Sequence, residues 1–239
     1  MHVQIVLFDG FDPLDAIAPL EVLHAGGTAS GGAVSVELVS AEGPREVVSG
    51  VGGLTLRTTG VLEPSRPGVV LLPGAAGRVG DPQADDPDAA GDAVADGGGT
   101  AEEDGMRDDA IPVRLARALE TELPVLLKAA MVDARVTVAT VCGGSLVLAM
   151  AGLLQDRHAT THHLGLDLLG ATGAHAVRAR VVDDGDLVTA AGVTSGLDLG
   201  LYLLEREVGP RIAHAVEELF AHERRGVTWR TDGPEPAGF

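Results

Sequence analysis

The stretch VTVATVCGGSLVLAMAGLL, residues 136–154, decides the fold. Its first half, with Val136, Val138 and Val141 interleaved with Thr137 and Thr140, reads as a strand buried on both faces. In its second half Leu146, Leu148, Ala149, Leu153 and Leu154 recur at helical spacing. Cys142, the only cysteine of the chain, stands between the two. Gly143 and Gly144 after it let the backbone turn sharply, which presents the thiol at the carboxyl end of a strand and the amino end of a helix. Strand, small-residue turn and helix in this order form a nucleophile elbow, and they predict an α/β fold with a doubly wound, mostly parallel sheet and helices on both faces.

A free cysteine is ordinarily a small buried hydrophobe. The strand, Cys-Gly-Gly and helix context favours the nucleophile instead. Unpaired N–H groups and the positive end of a helix dipole stabilise a thiolate, so the expectation is a thiol pKa below the free value of roughly 8.5.

Length and composition bound the other possibilities. A chain of 239 residues is long enough for one large domain, and 1–239 is read as a single unit. One cysteine excludes a disulfide within the chain. The amino terminus, MHVQIVLFDGFDPLD, has only a short apolar run soon followed by acids, and no apolar stretch reaches the roughly 20 residues of a membrane helix. A cytoplasmic protein is expected. The formal net charge of −18 makes nucleic acid and anionic membranes poor partners, since both are bound through Lys and Arg and Lys128 is the sole lysine. Such acidity fits a high-salt habitat or a GC-rich genome, and composition leaves both open.

In chain order, Val3 to Phe8 is a buried strand ending in Asp9-Gly10, a turn signal. Asp15 then stands at a helix N-cap or first-turn position ahead of Ile17, Leu20, Val22 and Leu23, where capping alone would explain it. Val34 to Val39 alternates like a second strand, and Val47 to Arg57 suits a hairpin or edge region. Gly68 to Leu72 is another buried strand, running into Pro73-Gly74-Ala75-Ala76-Gly77, a loop able to turn N–H groups toward a ligand. Ligands of open parallel sheets bind beyond the strands' carboxyl ends, where Cys142 and the Asp15 loop also fall. Residues 80–109 hold eleven acids against one arginine and almost nothing to bury, so an acidic, disordered insertion is expected, without the regular spacing of a calcium loop. Ile111 to Ala130 resumes a helical pattern that Pro124 should break or kink.

After the elbow, His158 to His162 reads as a short strand. His162 and the adjacent His163 would then face opposite ways, so only one can point into a site, and a surface histidine is the simpler reading. Neither makes a metal signal without a third ligand. Ala176 to Val182 and Leu187 to Ala190 suit strands around the turn at Asp183 to Asp186. Thr194 or Ser195 caps a helix through Leu197, Leu201, Leu204 and Val208. Pro210 to Arg225 is a last amphipathic helix, and 226–239 a polar tail.

Taken together, TVCGGSLVLAMAGLL (140–154), RHATTHH (157–163), LFDGFDPLDAIAPLEVL (7–23), VVLLPGAAG (69–77) and AAGVTSGLDLGLYLLE (190–205) resemble the ThiJ/PfpI superfamily over about Val3 to Val208. The resemblance implies the flavodoxin-like, class I glutamine-amidotransferase-like fold. It is strongest to isocyanide (isonitrile) hydratases and to the amidotransferase-like halves of AraC-type regulators, through Leu14-Asp15 and the elbow Cys142 to Ser145. It implies Cys142 as nucleophile and Asp15 as its acidic partner. Gly74, Ala75, Gly143, His162 and Thr194 are the candidates for oxyanion or substrate contacts, and the implied protein is a homodimer acting on a small molecule. Two departures stand out. The hydratases carry Thr after the cysteine where this chain has Gly143, and PfpI-type proteases carry His there, which argues against proteolysis.

Three activities fit these residues. In isocyanide hydration a Cys142 thioimidate would be hydrolysed to an N-substituted formamide, with Asp15 moving protons and no metal or organic cofactor. Glyoxalase-like hydration of an α-ketoaldehyde needs a similar thiol but usually Glu and His. A small-molecule or redox sensor would use Cys142 without turnover. A DNA-binding regulator is not expected, since about thirty residues follow Val208 and the charge is acidic.

Overall fold

The computed structural model of the chain describes residues 1–79, 109–234 and 237. The acidic insertion expected at 80–109 therefore lies, apart from Asp109, outside the described residues. The strands are β1 (His2–Val6), β2 (Ser35–Ser40), β3 (Glu46–Val48), β4 (Thr55–Arg57), β5 (Gly60–Val61), β6 (Gly68–Leu72), β7 (Val136–Val141), β8 (His158–Ala159), β9 (His175–Ala176), β10 (Val181–Asp183), β11 (Leu187–Ala190) and β12 (Trp229–Arg230).

One eight-stranded sheet runs β12-β10-β11-β7-β6-β1-β2-β5. Every pair in it is parallel except β10 and β11. Its central strands are apolar because both faces are covered: Val3, Ile5, Val70, Leu71, Val138, Ala139 and Val188 are all buried. Helices Pro13–Ala29, Ser195–Glu207 and Pro210–Phe220 pack together on one face, and Ile111–Leu119, Leu123–Val132, Gly144–Met150 and Leu166–Ala171 form the other layer. The chain leaves β1 toward β2 and later returns to β6 on the opposite side of β1. That reversal of strand order opens a crevice at the carboxyl ends of β1 and β6. Among the described residues no helix is long and apolar enough to cross a membrane.

Several expectations need correction. The strand expected over His158 to His162 is only β8, because Thr160 and Thr161 spend their polar groups on the elbow and on β11 rather than on a ladder. The strand expected over Ala176 to Val182 is split into β9, paired with β8, and β10. The tail at 226–239 is not wholly irregular: β12 adds to β10, where Trp229 packs 4.9 Å from the His158 ring and Arg230 lies 5.3 Å over Tyr202. Pro124 opens a helix rather than breaking one, since it occupies the first turn of Leu123–Val132, where no backbone N–H is needed.

Helices Pro13–Ala29 and Ser195–Glu207 approach closely through glycine. A Cβ on Gly200 would lie 2.8 Å from Val22 Cγ1 and 3.0 Å from Val22 Cβ. Gly200→Val should therefore separate the helices and destabilise the fold by about 1–3 kcal/mol, read from urea unfolding; an unchanged midpoint would show that the seam yields freely.

Candidate functional site

Three loops meet beyond the sheet's carboxyl ends. After β1, Phe11 bridges to Ala75 and the Asp12 N–H donates to the Gly74 carbonyl at 2.8 Å, which ties the first loop to the loop after β6. After β7, Cys142 adopts φ 53°, a left-handed conformation rare outside glycine. This is the strained turn of the elbow, and the surroundings fix it at both ends. The Cys142 N–H donates to the carbonyls of Ala190 (3.0 Å) and Ala191 (2.9 Å), and the Cys142 carbonyl accepts from the Thr161 hydroxyl at 2.7 Å. Beneath the turn, the buried Ser145 hydroxyl donates to the Thr160 carbonyl at 2.6 Å and so accepts from the Thr140 hydroxyl, also at 2.6 Å. The Thr160 N–H donates to Thr189 Oγ1 at 2.8 Å. These hydroxyls were not legible as site residues, although Ser145 inside an apolar helix pattern was the available signal.

Asp15 lies in the first turn of Pro13–Ala29 and is 0% exposed. Capping does not account for it: the cap is Asp12, whose carboxylate accepts from the Leu14 N–H at 2.9 Å. Asp15 Oδ2 instead accepts from the Gly74 N–H at 2.9 Å, while its Oδ1, also buried, has no hydrogen-bond partner. Cys142 is 8% exposed and interacts with this carboxyl. Burial pushes the Asp15 pKa well above the usual carboxylate range, and the nearby Asp12 charge adds to this against the opposing Gly74 hydrogen bond.

The thiol itself corrects the expectation of a low pKa. Burial pushes it up and the Asp15 charge pushes it further, while the Gly143 N–H acts in the opposite sense and is outweighed. The helix after Cys142, Gly144–Met150, is short, so its dipole offers little against those effects. Both groups rise, so at neutral pH the pair carries at most one negative charge.

The remaining candidates divide. The Gly143 N–H acts on the thiol, and the Gly74 N–H is spent on Asp15. The buried Ala75 backbone lies beside Gly143. His162 is half-buried and His163 exposed, with their rings 4.2 Å apart rather than on opposite faces. His162 packs on Gly192, next to the Ala191 carbonyl that holds Cys142, and its Nδ1 accepts from the Leu164 N–H at 3.3 Å. Burial, with His163 beside it, lowers its pKa. The neutral ring therefore carries its proton on Nε2 as a donor. Thr194 is exposed, makes no side-chain cap bond, and accepts from Arg180 Nη2 at 3.1 Å, so its hydroxyl serves the Arg180–Asp198 pair. Among the described residues no three His, Cys, Asp or Glu side chains form a group able to hold a metal.

Two outcomes follow from this geometry. Alkylation of Cys142 should show a pH midpoint above the roughly 8.5 of a free thiol, and Asp15→Asn should bring it down by removing the neighbouring charge; a midpoint below the free value would contradict the burial argument. Thr161→Val leaves the Cys142 carbonyl without its donor and should cost about 1–3 kcal/mol in thermal or urea unfolding.

Residues 110–206 match the model of the DJ-1/PfpI family. Over 80 residues the chain is 50% identical to the isonitrile hydratase of Pseudomonas putida, a stretch covering 34% of this chain and 35% of that one. Over 87 residues it is 38% identical to the HTH-type transcriptional regulator CdhR of Pseudomonas aeruginosa, covering 36% of this chain and 26% of that one. The chain thus spans about a third or less of the length of these curated relatives. Among solved structures, a ThiJ/PfpI family protein from Pseudomonas syringae shares the fold with TM-score 0.68 at 24% identity, covering 100% of this chain and 78% of the other. The family match runs through the elbow, and the solved ThiJ/PfpI family protein has the same fold as this chain.

Proposed function

We propose that this protein is a cysteine-dependent hydratase that converts an isocyanide, R–N≡C, to the N-substituted formamide. The observation that carries the reading is the buried pair, a thiol 8% exposed beside a carboxyl 0% exposed with one oxygen unpartnered. So enclosed a thiol suits a slim, linear, uncharged reacting group, and Asp12 and Asp15 beside it disfavour an anionic one. The likeness to isonitrile hydratase over a third of the chain supports the same choice.

The proton shared by the pair is the reagent. As the Cys142 sulfur bonds to the terminal carbon of R–N≡C, the thiol proton passes to Asp15 and from there to that same carbon, giving the thioimidate R–N=CH–S. Water then adds to this carbon, and Asp15 relays one of its protons to the nitrogen. The C–S bond breaks as the remaining hydroxyl proton returns to the sulfur through Asp15, and R–NH–CHO leaves. An Asp15 pKa raised by burial fits a group that must hold a proton between these steps. The N–H groups of Ala75 and Gly143 and the Nε2–H of His162 are the donors available for charge that develops on nitrogen and oxygen.

A second reading, a sensor that binds a small molecule at Cys142 without turnover, is favoured by the thiol's raised pKa and the likeness to CdhR. Purified protein offered alkyl isocyanides separates the two. Formamide formed over many turnovers supports the hydratase, and a single-equivalent adduct without product supports the sensor. For the hydratase, Cys142→Ala should abolish turnover and Asp15→Asn should lower kcat by at least about 100-fold, with the double variant no worse than Cys142→Ala. Near-wild-type kcat in Asp15→Asn would end the shared-proton mechanism.

A further inference from the structure

Of the glycines around the thiol, one has no packing reason to be glycine. A Cβ on Gly144 would lie 2.3 Å from the Leu72 carbonyl oxygen, and one on Gly74 would lie 2.6 Å from the Gly143 nitrogen and 2.9 Å from Asp15 Oδ2. Both positions are closed to any side chain. Gly143 differs, with φ −67° and ψ −6°, a conformation open to every L-residue. A Cβ there would meet Gly74 Cα at 3.6 Å, Leu115 Cδ1 at 3.6 Å and Ala75 N at 3.8 Å, all ordinary contacts. The absent side chain therefore leaves room for at least a methyl group next to Cys142. This room is bounded by an apolar δ-methyl on one side and by the Gly74–Ala75 backbone on the other.

We propose that Gly143 is a specificity-determining position, whose missing side chain makes room beside the Cys142 thiol for a branched apolar substituent of the substrate. An apolar wall at Leu115 suits alkyl branches, while the Gly143 N–H acts on the thiol itself. On the hydratase reading, on which the identity of the substrate rests, this favours branched alkyl isocyanides, and a side chain at 143 would narrow the space for them. The steric claim concerns the thiol alone and can be read without turnover.

The test compares wild type, Gly143→Ala and Gly143→Val by the rates at which iodoacetamide and N-tert-butyl-iodoacetamide label Cys142. The reagents react at the same carbon and differ only in bulk, so the ratio of their rates isolates space. The ratio of bulky to small reagent should fall in Gly143→Ala and fall by at least about tenfold in Gly143→Val, the usual effect of added methyl groups in an apolar pocket. A ratio unchanged within about twofold in both folded variants overturns the proposal. So does failure of Gly143→Ala to fold, checked by its melting curve, because packing would then demand the glycine. The same ratio taken with tert-butyl and methyl isocyanide keeps the two readings apart. A fall in the labelling ratio without isocyanide turnover leaves the pocket standing and removes the hydratase, whereas turnover with no change of ratio does the reverse.

Discussion

A carboxyl with no access to water, held by one backbone N–H and set beside a thiol, is the constraint on which the rest of this structure depends. Asp15 is fully buried, and its Oδ2 accepts from the Gly74 N–H at 2.9 Å. A polar group buried in this way is costly unless it stays neutral or is paired, and the pairing here is incomplete because Oδ1 has no partner. The fold supports that cost with rigid elements on every side. The helix carrying Asp15 is locked to Ser195–Glu207 by glycine contacts, and the Gly74 loop is tied to the Asp12 backbone.

The elbow is a second strained feature supported in the same way. A left-handed Cys142 costs of order 1–3 kcal/mol in a free chain, and here three hydrogen bonds to its own peptide groups offset it. The Thr161 hydroxyl supplies one of these bonds, and the hydroxyls of Thr140, Ser145 and Thr189 hold the segment at Thr160 beside it, each buried and paired where an unpaired hydroxyl would be penalised. Glycine at 144 lets the helix begin against the Leu72 carbonyl, close enough that the β6 and β7 loops share one crevice.

The carboxyl-terminal part is held differently, by ion pairs of arginine with the abundant acids. Arg157 joins Asp184 and Asp186, Arg180 joins the nearly buried Asp198, and Arg224 joins Glu205 and Glu217. Asp198 also accepts from the Arg225 N–H at 2.9 Å, which anchors the chain as it turns back toward β12. Arg180 also donates to Thr194 and its carbonyl accepts from the Ala191 N–H at 2.9 Å, which ties the loop at 191–194, and with it the carbonyl of Ala191 on Cys142, to this part of the chain.

The sequence by itself determined the elements that rest on local periodicity. The β-branched run ending at Cys142, the glycines after it and the apolar strands at Val3 and Gly68 led to a doubly wound parallel sheet and to a crevice containing Cys142, Asp15 and Gly74. That reading succeeded because strands buried on both faces leave an unmistakable apolar signal. Tertiary structure alone decided that Asp12 caps the helix and Asp15, in its first turn, is buried, since both are aspartates near the helix start and differ in what packs over them. It also decided the sign of the thiol's pKa shift. A strand-to-helix turn argues for a thiolate, but burial and a carboxylate supplied from 127 positions away in the chain outweigh a seven-residue helix. The strand at Trp229 and the stacking of His162 on His163 were likewise set by neighbours distant in sequence, which no local pattern encodes.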